Sequence, residues 1–451
     1  MVLHAGDVTL GELLKIYSTK GVYNNLPTQS DLWKLILSKK VAAPEGKEVR
    51  YLLRKAAGYT ASQFVPAGEM GTFPMSQAAE HSEGKAFFKD FATSIAVPRH
   101  LLNKTGSDLA QYAMPLAEEL NQKGIVTARN LSRTLPGDGS GILGVIGSVS
   151  EVANRVAVVL STTSANAGRS HVGNFQYGEI VQIRSTAGAA QAVTPDSGTV
   201  SGYKVHDIDV EADTITLIPV EISGSTITEL TVSALNTVGA GDVITQLDAA
   251  AVNVSGAIAD YGTLSYVWAG LESLLADDGR VVNNLTMSGA ISGSRIDAGG
   301  ATIDKSNFQA LLSKIKRRVG KNEYKYTKAI MFDTVYDALL ESWESDRQVI
   351  SIKDTDRGSS KLGYQHGKDN LAFETEEFCP KQRIMVLPEG DVIQFRGTDV
   401  SQVKVGGANE FMPTSTTNGR HKREVVSYLE GSGLLFNVHP AACGVIENFT
   451  V

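Results

Sequence analysis

"LPGDGSGILGVIG", running from Leu135 to Gly147, decides how the chain is read. Gly139, Gly141 and Gly144 have the G-x-G-x-x-G spacing of a dinucleotide-binding turn. That chemistry needs a strand before the glycines, a helix after them and an acid about 20 residues further on. Here a helical pattern precedes, Pro136 bars its continuation, and no acid stands near position 164. The following segment, "VIGSVSEVANRVAVVLS", is compatible with a helix and meets one condition of the three. The mechanical alternative needs only that "PGDGSG" supply residues able to take φ > 0, so that the chain leaves a helix and turns back. The run lacks the Lys-Ser/Thr of a phosphate loop, and Asp138 alone makes no calcium loop. Pro136, Gly137, Gly139 and Gly141 therefore read as a corner.

Upstream of the corner lies a long helical pattern. Ser107 or Asp108 caps it, and Leu109, Tyr112, Leu116, Leu120, Thr127 and Leu131 keep the spacing to about Leu135. Pro115 and Gly124 interrupt it, and an interior proline costs about 3 kcal/mol, so a bend is predicted there. A helix of roughly 28 residues spans on the order of 40 Å, a spine rather than one element among many.

Further out, residues 1–55 mix short amphipathic helices with turns. Leu10, Leu13, Leu14 and Tyr17 form one stripe, and Leu32, Leu35 and Ile36 form another, with Ser30 as N-cap. Two such helices need another surface to lie on, and the arm is predicted to bury Leu13, Leu14, Trp33 and Ile36 on a neighbouring molecule. Two extended strands then flank an excursion from Ala56 to Gly84, rich in Gly and Pro and carrying Tyr59, Phe64 and Phe73. Loops this long in compact proteins are functional or disordered. An outreaching hairpin that buries its aromatics on a neighbour accounts for the composition.

Residues 161–262 change character. β-branched residues alternate between Gly, Ser and Asp turns, which predicts a small antiparallel β domain with a hairpin tip at Val210–Thr214. It begins and ends inside the larger unit, as insertions at surface loops do. The remainder mixes helices and strands. "DKSNFQALLSKIKRRVG" places Phe308, Leu311, Leu312, Ile315 and Val319 on one helical face, between Asp304 and a stop at Gly320. "KAIMFDTVYDALLES" predicts a strand then a helix, and "QRIMVLPEGDVIQFRG" predicts two strands about a turn. The fold class is α+β.

At 451 residues, 42% hydrophobic and 20% charged, the chain has globular composition and room for two or three cores. It contains no run of about 18 apolar residues, and its start does not read as a signal peptide. The net charge of −7 is concentrated: residues 161–262 hold 3 basic and 11 acidic groups, whereas the first 55 hold 9 basic and 5 acidic. A dense positive footprint for tight nucleic-acid binding is missing. Cys379 and Cys443 are too few for a metal cage and read as buried thiols of a reducing compartment. The histidines form no H-E-x-x-H, and G-x-S-x-G is absent. Lys314, Lys316, Arg317, Arg318 and Lys321 make the strongest basic patch. It reads as a solvated helix face, as a contact for an acidic face of a neighbour, or as a nucleic-acid contact. No catalytic, cofactor or metal site is expected; a spine, an outreaching loop, a basic arm and an acidic β module are devices for touching neighbours.

One stretch, "FATSIAVPRHLLNKTGSDLAQYAMPLAEELNQKGIVTARNLSRTLPGDGSGILGVIG", resembles tailed-phage major capsid proteins of the Hong Kong 97 type. The shared phrases are Pro98, Leu101 and Leu102, then Ser107, Asp108 and Leu109, then Gly137 to Gly141 and Gly141-Ile142-Leu143. Weaker echoes run through "ATIDKSNFQALLSKIK", "EEFCPKQRIMVLPEGDVIQF" and "GLLFNVHPAACGVIEN". The resemblance implies an N-terminal arm (1–46), an extended loop (47–95), a spine helix with peripheral domain (96–160), an inserted β-rich domain (161–262) and an axial domain with return strands (263–451). It further implies a non-enzymatic shell protein forming pentamers and hexamers of an icosahedral capsid around double-stranded DNA, assembled in a host cytoplasm. Portal and scaffolding proteins are implied partners and a decoration protein a possible one, with weak or no direct DNA binding and no membrane. Tyr59, Phe64, Phe73, Leu13, Leu14, Trp33, Ile36, Lys314, Arg317 and Arg318 are the subunit-contact candidates. The excursion holds no lysine, which argues against an isopeptide crosslink from it, and no helical leader of about 100 residues is seen, which favours a separate scaffold. An encapsulin-like compartment shares the fold. A surface adhesin accounts for the Thr/Ser-rich segment but gives the spine no role.

Overall fold

The computed structural model describes residues 30, 32–33, 36, 48–56, 59–60, 76–77, 80–98, 124–161, 170–185, 189–223, 226–246, 267–320, 324–343, 363–366, 369–389, 392–397, 401–402, 412–415 and 421–450. The chain forms two units. One comprises Met1–Lys47, Phe88–Arg133 and Phe395–Leu434, and the larger comprises Glu48–Phe87, Thr134–Gln394 and Leu435–Val451.

In the larger unit, β1 (Glu48–Ala56) pairs antiparallel with β2 (Glu80–Phe87), Tyr51 facing Gly84. Alternation sends Val49, Tyr51, Leu53 and Ala86 inward and leaves Leu52 exposed. Tyr51 packs its ring 4.9 Å from that of Phe436 and accepts a hydrogen bond from Asn283. An isolated two-stranded hairpin is marginal in water, and this seating is what holds it. Further along, inside the stretch read as an excursion (Ala56–Gly84), Tyr59–Thr60 pairs with Ser76–Gln77, and residues 61–75 lie outside the described residues. The chain next runs into β3 (Lys89–Pro98) of the smaller unit.

The segment after the glycine corner, which the sequence makes compatible with a helix, is a β-hairpin. Ala153 and Asn154 stand at φ 52° and 62°, a two-residue turn joining β4 (Ile142–Val152) to β5 (Arg155–Leu160). Paired left-handed residues match the twist of flanking strands and interrupt any helix. β6 (Ile180–Arg184), β7 (Gly202–Asp209), β8 (Thr214–Ser223), β9 (Thr226–Glu229) and β10 (Val243–Gln246) complete the sheet. The pairing order β7-β6-β10-β4-β5-β8 returns to its start, because β8 also pairs with β7. The result is a closed six-stranded antiparallel barrel, with β9 continuing the edge of β8. Its β module begins at Ile142, ahead of residue 161, where the sequence reading starts it. Inward alternation fills the barrel with Val156, Val158, Val181, Ile183, Tyr203, Ile215, Leu217 and Ile244. The buried Tyr203 hydroxyl donates to Gln191 O and accepts from Val193 N–H.

The α/β core of the same unit is a six-stranded mixed sheet. β11 (Ser294–Asp297) lies parallel to the strand Gly444–Glu447, followed by β15 (Arg383–Pro388), β12 (Tyr326–Met331), β14 (Asp369–Thr375) and β13 (Gly363–His366). Helix α1 (Lys305–Val319) starts where the sequence predicts: Asp304 and Asn307 form a reciprocal capping box, and Gly320 ends it at φ 123°. Its Phe308, Leu311, Leu312 and Ile315 are wholly buried, with the Phe308 ring stacked 5.1 Å from Phe373. Helix α2 (Asp333–Trp343) adds Val335, Leu339 and Trp343.

In the smaller unit, β3 pairs along its length with β16 (His421–Asn437), from Lys89 opposite Gly433 to Pro98 opposite Glu424. Ser401–Gln402 and Met412–Ser415 also pair with β16. Of the predicted spine, residues 124–134 are helical; its upstream part, including Pro115, lies outside the described residues.

Candidate functional site

The helix ending at residue 134 delivers the chain into the corner, and the corner is filled by its own protein. Leu271 N–H donates to Leu135 O at 2.8 Å, Glu272 N–H to Gly137 O at 3.2 Å, and Ser273 Oγ to Asp138 O at 2.5 Å. The Asp138 carboxylate accepts from Ser140 N–H and from Ser140 Oγ. Gly139 and Gly141 take φ 79° and 77°, which favours glycine. A β-carbon on Gly139 would stand 2.7 Å from Trp268 O. The space a pyrophosphate needs at a dinucleotide turn is thus occupied by residues 268–270. The element after the glycines is a strand, not a helix, so the remaining condition for cofactor binding fails as well.

Under the corner lies a charge cluster that sequence reading missed. Glu272 sits on the short helix Leu271–Leu274 that hydrogen-bonds the corner. Arg295 of β11 donates to it at 2.7 Å, and Arg383 of β15 approaches at 3.2 Å. Both arginines also reach Glu447, at 3.3 and 3.4 Å. Glu272, Arg295 and Arg383 are buried. Burial alone raises a carboxyl, but Arg383 and Arg295 overcome it and hold Glu272 below the ordinary carboxylate range. Glu447 goes the other way: burial, seconded by the negative charge of Glu272, outweighs the two arginines and raises it. Two carboxylates sharing two guanidiniums form a register lock for four elements far apart in sequence.

The contact candidates are scattered. Trp33 and Ile36 are buried within their own unit, Trp33 edge-on to Phe395 at 4.8 Å, which corrects their assignment to a neighbour's surface. Lys314 donates to Arg295 O at 2.6 Å, and Arg318 is half-buried, its guanidinium donating to Gly289 O, Ser292 O and Gly293 O. Both are stitches inside the core rather than free cations, and Arg317 alone of the three faces solvent. Tyr59 lies in its short strand. Leu13, Leu14, Phe64 and Phe73 lie outside the described residues. Cys379 and Cys443 are free, buried thiols, and burial pushes both up. Among the described residues no group of His, Cys, Asp and Glu is placed to hold a metal ion. No described helix is long and apolar enough to cross a membrane.

No protein-family model matches the chain, and no curated protein does. Among solved structures, the chain is similar to one in a cyanophage A-1(L) capsid asymmetric unit, at 8% identity and a TM-score of 0.49, covering 94% of this chain and 93% of that one. It is similar to a chain in the capsid of an empty GTA particle, at 9% identity and a TM-score of 0.43, over 92% and 90%. A virus-like particle from Pyrococcus furiosus matches at 8% identity and a TM-score of 0.38, over 97% and 98%.

Proposed function

We propose that this chain is a structural capsid protein that joins copies of itself into a closed shell. The observation that carries the reading is the corner. The phrase shared with the Hong Kong 97-type proteins, Gly137 to Leu143, builds here a helix exit clamped by backbone hydrogen bonds, with Gly139 packed against Trp268 O. The nucleotide-enzyme reading loses its only support at the same place. In the proposed assembly the chain supplies pentamers and hexamers of an icosahedral phage head. Residues 142–246 form a surface module, and the exposed Arg317 and the loop aromatics Tyr59, Phe64 and Phe73 serve as contacts. Portal and scaffolding proteins are the proposed partners. Many modest contacts suffice, because closure raises the effective concentration at each successive contact.

Electron micrographs of the purified full chain, expressed with and without candidate scaffold, test this. Uniform closed particles are expected. A monodisperse monomer at high concentration under every condition overturns the reading.

A further inference from the structure

The barrel meets the α/β core along a seam with unusual chemistry. On the barrel side stand the turn His171–Asn174 and the β7–β8 hairpin tip. The first is anchored to β4 by Ser170 Oγ on Val145 and by Asn174 Nδ2 on Leu143 O. On the core side stand Phe332 and the turn from Glu376 to Lys381. The His171 ring is buried edge-on to Phe332, with centroids 4.5 Å apart. A β-carbon on Gly173 would fall 2.3 Å from Glu377 O, so backbone meets backbone here. At the hairpin tip, Lys381 Nζ donates to Val210 O at 2.5 Å, pairs with Asp213 at 2.8 Å, and lies 5.8 Å from the centre of the Phe332 ring.

His171 is held neutral by this geometry. Its Nδ1 accepts the Gly173 N–H at 2.9 Å, which places the proton on Nε2, and Nε2 is buried with no acceptor among the described residues. A second proton has to displace the Gly173 bond and bring a charge into a buried site beside the Lys381 ammonium. Of the charged groups on the surrounding elements (Asp333 after Phe332, Glu376, Glu377 and Lys381 in the turn, Asp213 at the tip), Lys381 bears on the ring, and its charge opposes protonation.

We propose that this seam is an acid-releasable latch keyed by His171: the barrel docks on the core only while the imidazole is neutral, and protonation frees it. Burial first, and Lys381 second, press the docked imidazole from 6.5 to about 3. The sign follows from linkage. A base whose docked pKa is lowered favours docking fully above 6.5, and that advantage drains as the pH falls toward 3. In that window the open seam binds one proton more, so the opening constant rises up to tenfold for each pH unit lost. The latch is a property of the single chain and stands or falls independently of shell formation.

Amide hydrogen-exchange protection factors of the soluble full chain, at Gly173 and Cys379 from pH 7 to pH 4, test it. We expect protection to fall by up to tenfold per pH unit in the native chain and to stay flat in His171→Gln. Asp213→Asn, which removes the Lys381 partner, should lower protection by a constant factor and keep the slope. Equal slopes in the native chain and His171→Gln overturn the latch, and so does an Asp213→Asn chain that loses the slope. Should His171→Gln not fold, imidazole NMR of the native chain decides: a docked ring that titrates near 6.5 with the seam still protected is fatal to the idea.

Discussion

The barrel and the α/β core bury comparable apolar clusters but treat charge in opposite ways. The barrel keeps its ion pair outside: Lys204 and Glu229 meet at 2.7 Å between half-exposed side chains. The core takes Glu272, Arg295 and Arg383 out of water and lets Glu447 complete the set. The difference follows from topology. The barrel joins two tight hairpins, β4–β5 and β7–β8, to pairings between distant strands such as β4 with β10, and closure with inward alternation on every strand lets apolar residues set its register. The core brings together strands from residues 294, 383 and 444, whose register no turn sets. A lock of directional charge-assisted bonds fixes it instead.

The comparison is broken most directly at Glu272. Glu272→Ala leaves two buried guanidiniums short of a partner and should destabilise the larger unit by about 3–5 kcal/mol in urea unfolding. A loss under about 1 kcal/mol would mean that the cluster is ornamental. The same group gives the core an acid dependence. Its lowered pKa contributes stability that is complete above the ordinary carboxylate range and is lost as the pH falls through and below it, a loss the Glu272→Ala chain should not show. Glu447 works in the other direction, since its raised pKa lets the folded state take up a proton before the unfolded chain does.

The joint between the two regions comes next. Gly139→Ala places a methyl 2.7 Å from Trp268 O at φ 79° and should cost about 1–3 kcal/mol, read in the same unfolding assay. The smallest effect belongs to the barrel's exposed pair. Lys204→Ala should cost less than about 1 kcal/mol, and the loss should fade further in high salt. A larger, salt-resistant loss would erase the contrast between the regions.

Sequence reading reached the parts whose cause is local. Helix α1 was legible because Asp304, Gly320 and the Phe308–Ile315 stripe lie within one window, and the glycine corner because Pro136 and the left-handed glycines sit side by side. The β4–β5 hairpin misled because "SVSEVANRV" carries valines at spacings that suit a helix as well as a strand. Only the left-handed pair Ala153-Asn154 separates the two. Trp33 packs on Phe395, far along the chain, and no periodicity names what covers it. The Glu272 cluster and the His171 seam were invisible for a different reason. Their members come from residues 171 to 447 and meet only after folding, and no local pattern distinguishes Arg383 from a solvated arginine.

The barrel's opening and closing strands lie side by side, with Ile142 opposite Thr245 and Val145 opposite Val243. A module whose two chain ends meet behaves as a cassette: its contents can be exchanged while the frame that carries it keeps its geometry. A foreign domain with adjacent termini, spliced between β4 and β10, would be displayed from the same hub without disturbing the glycine bend beneath it.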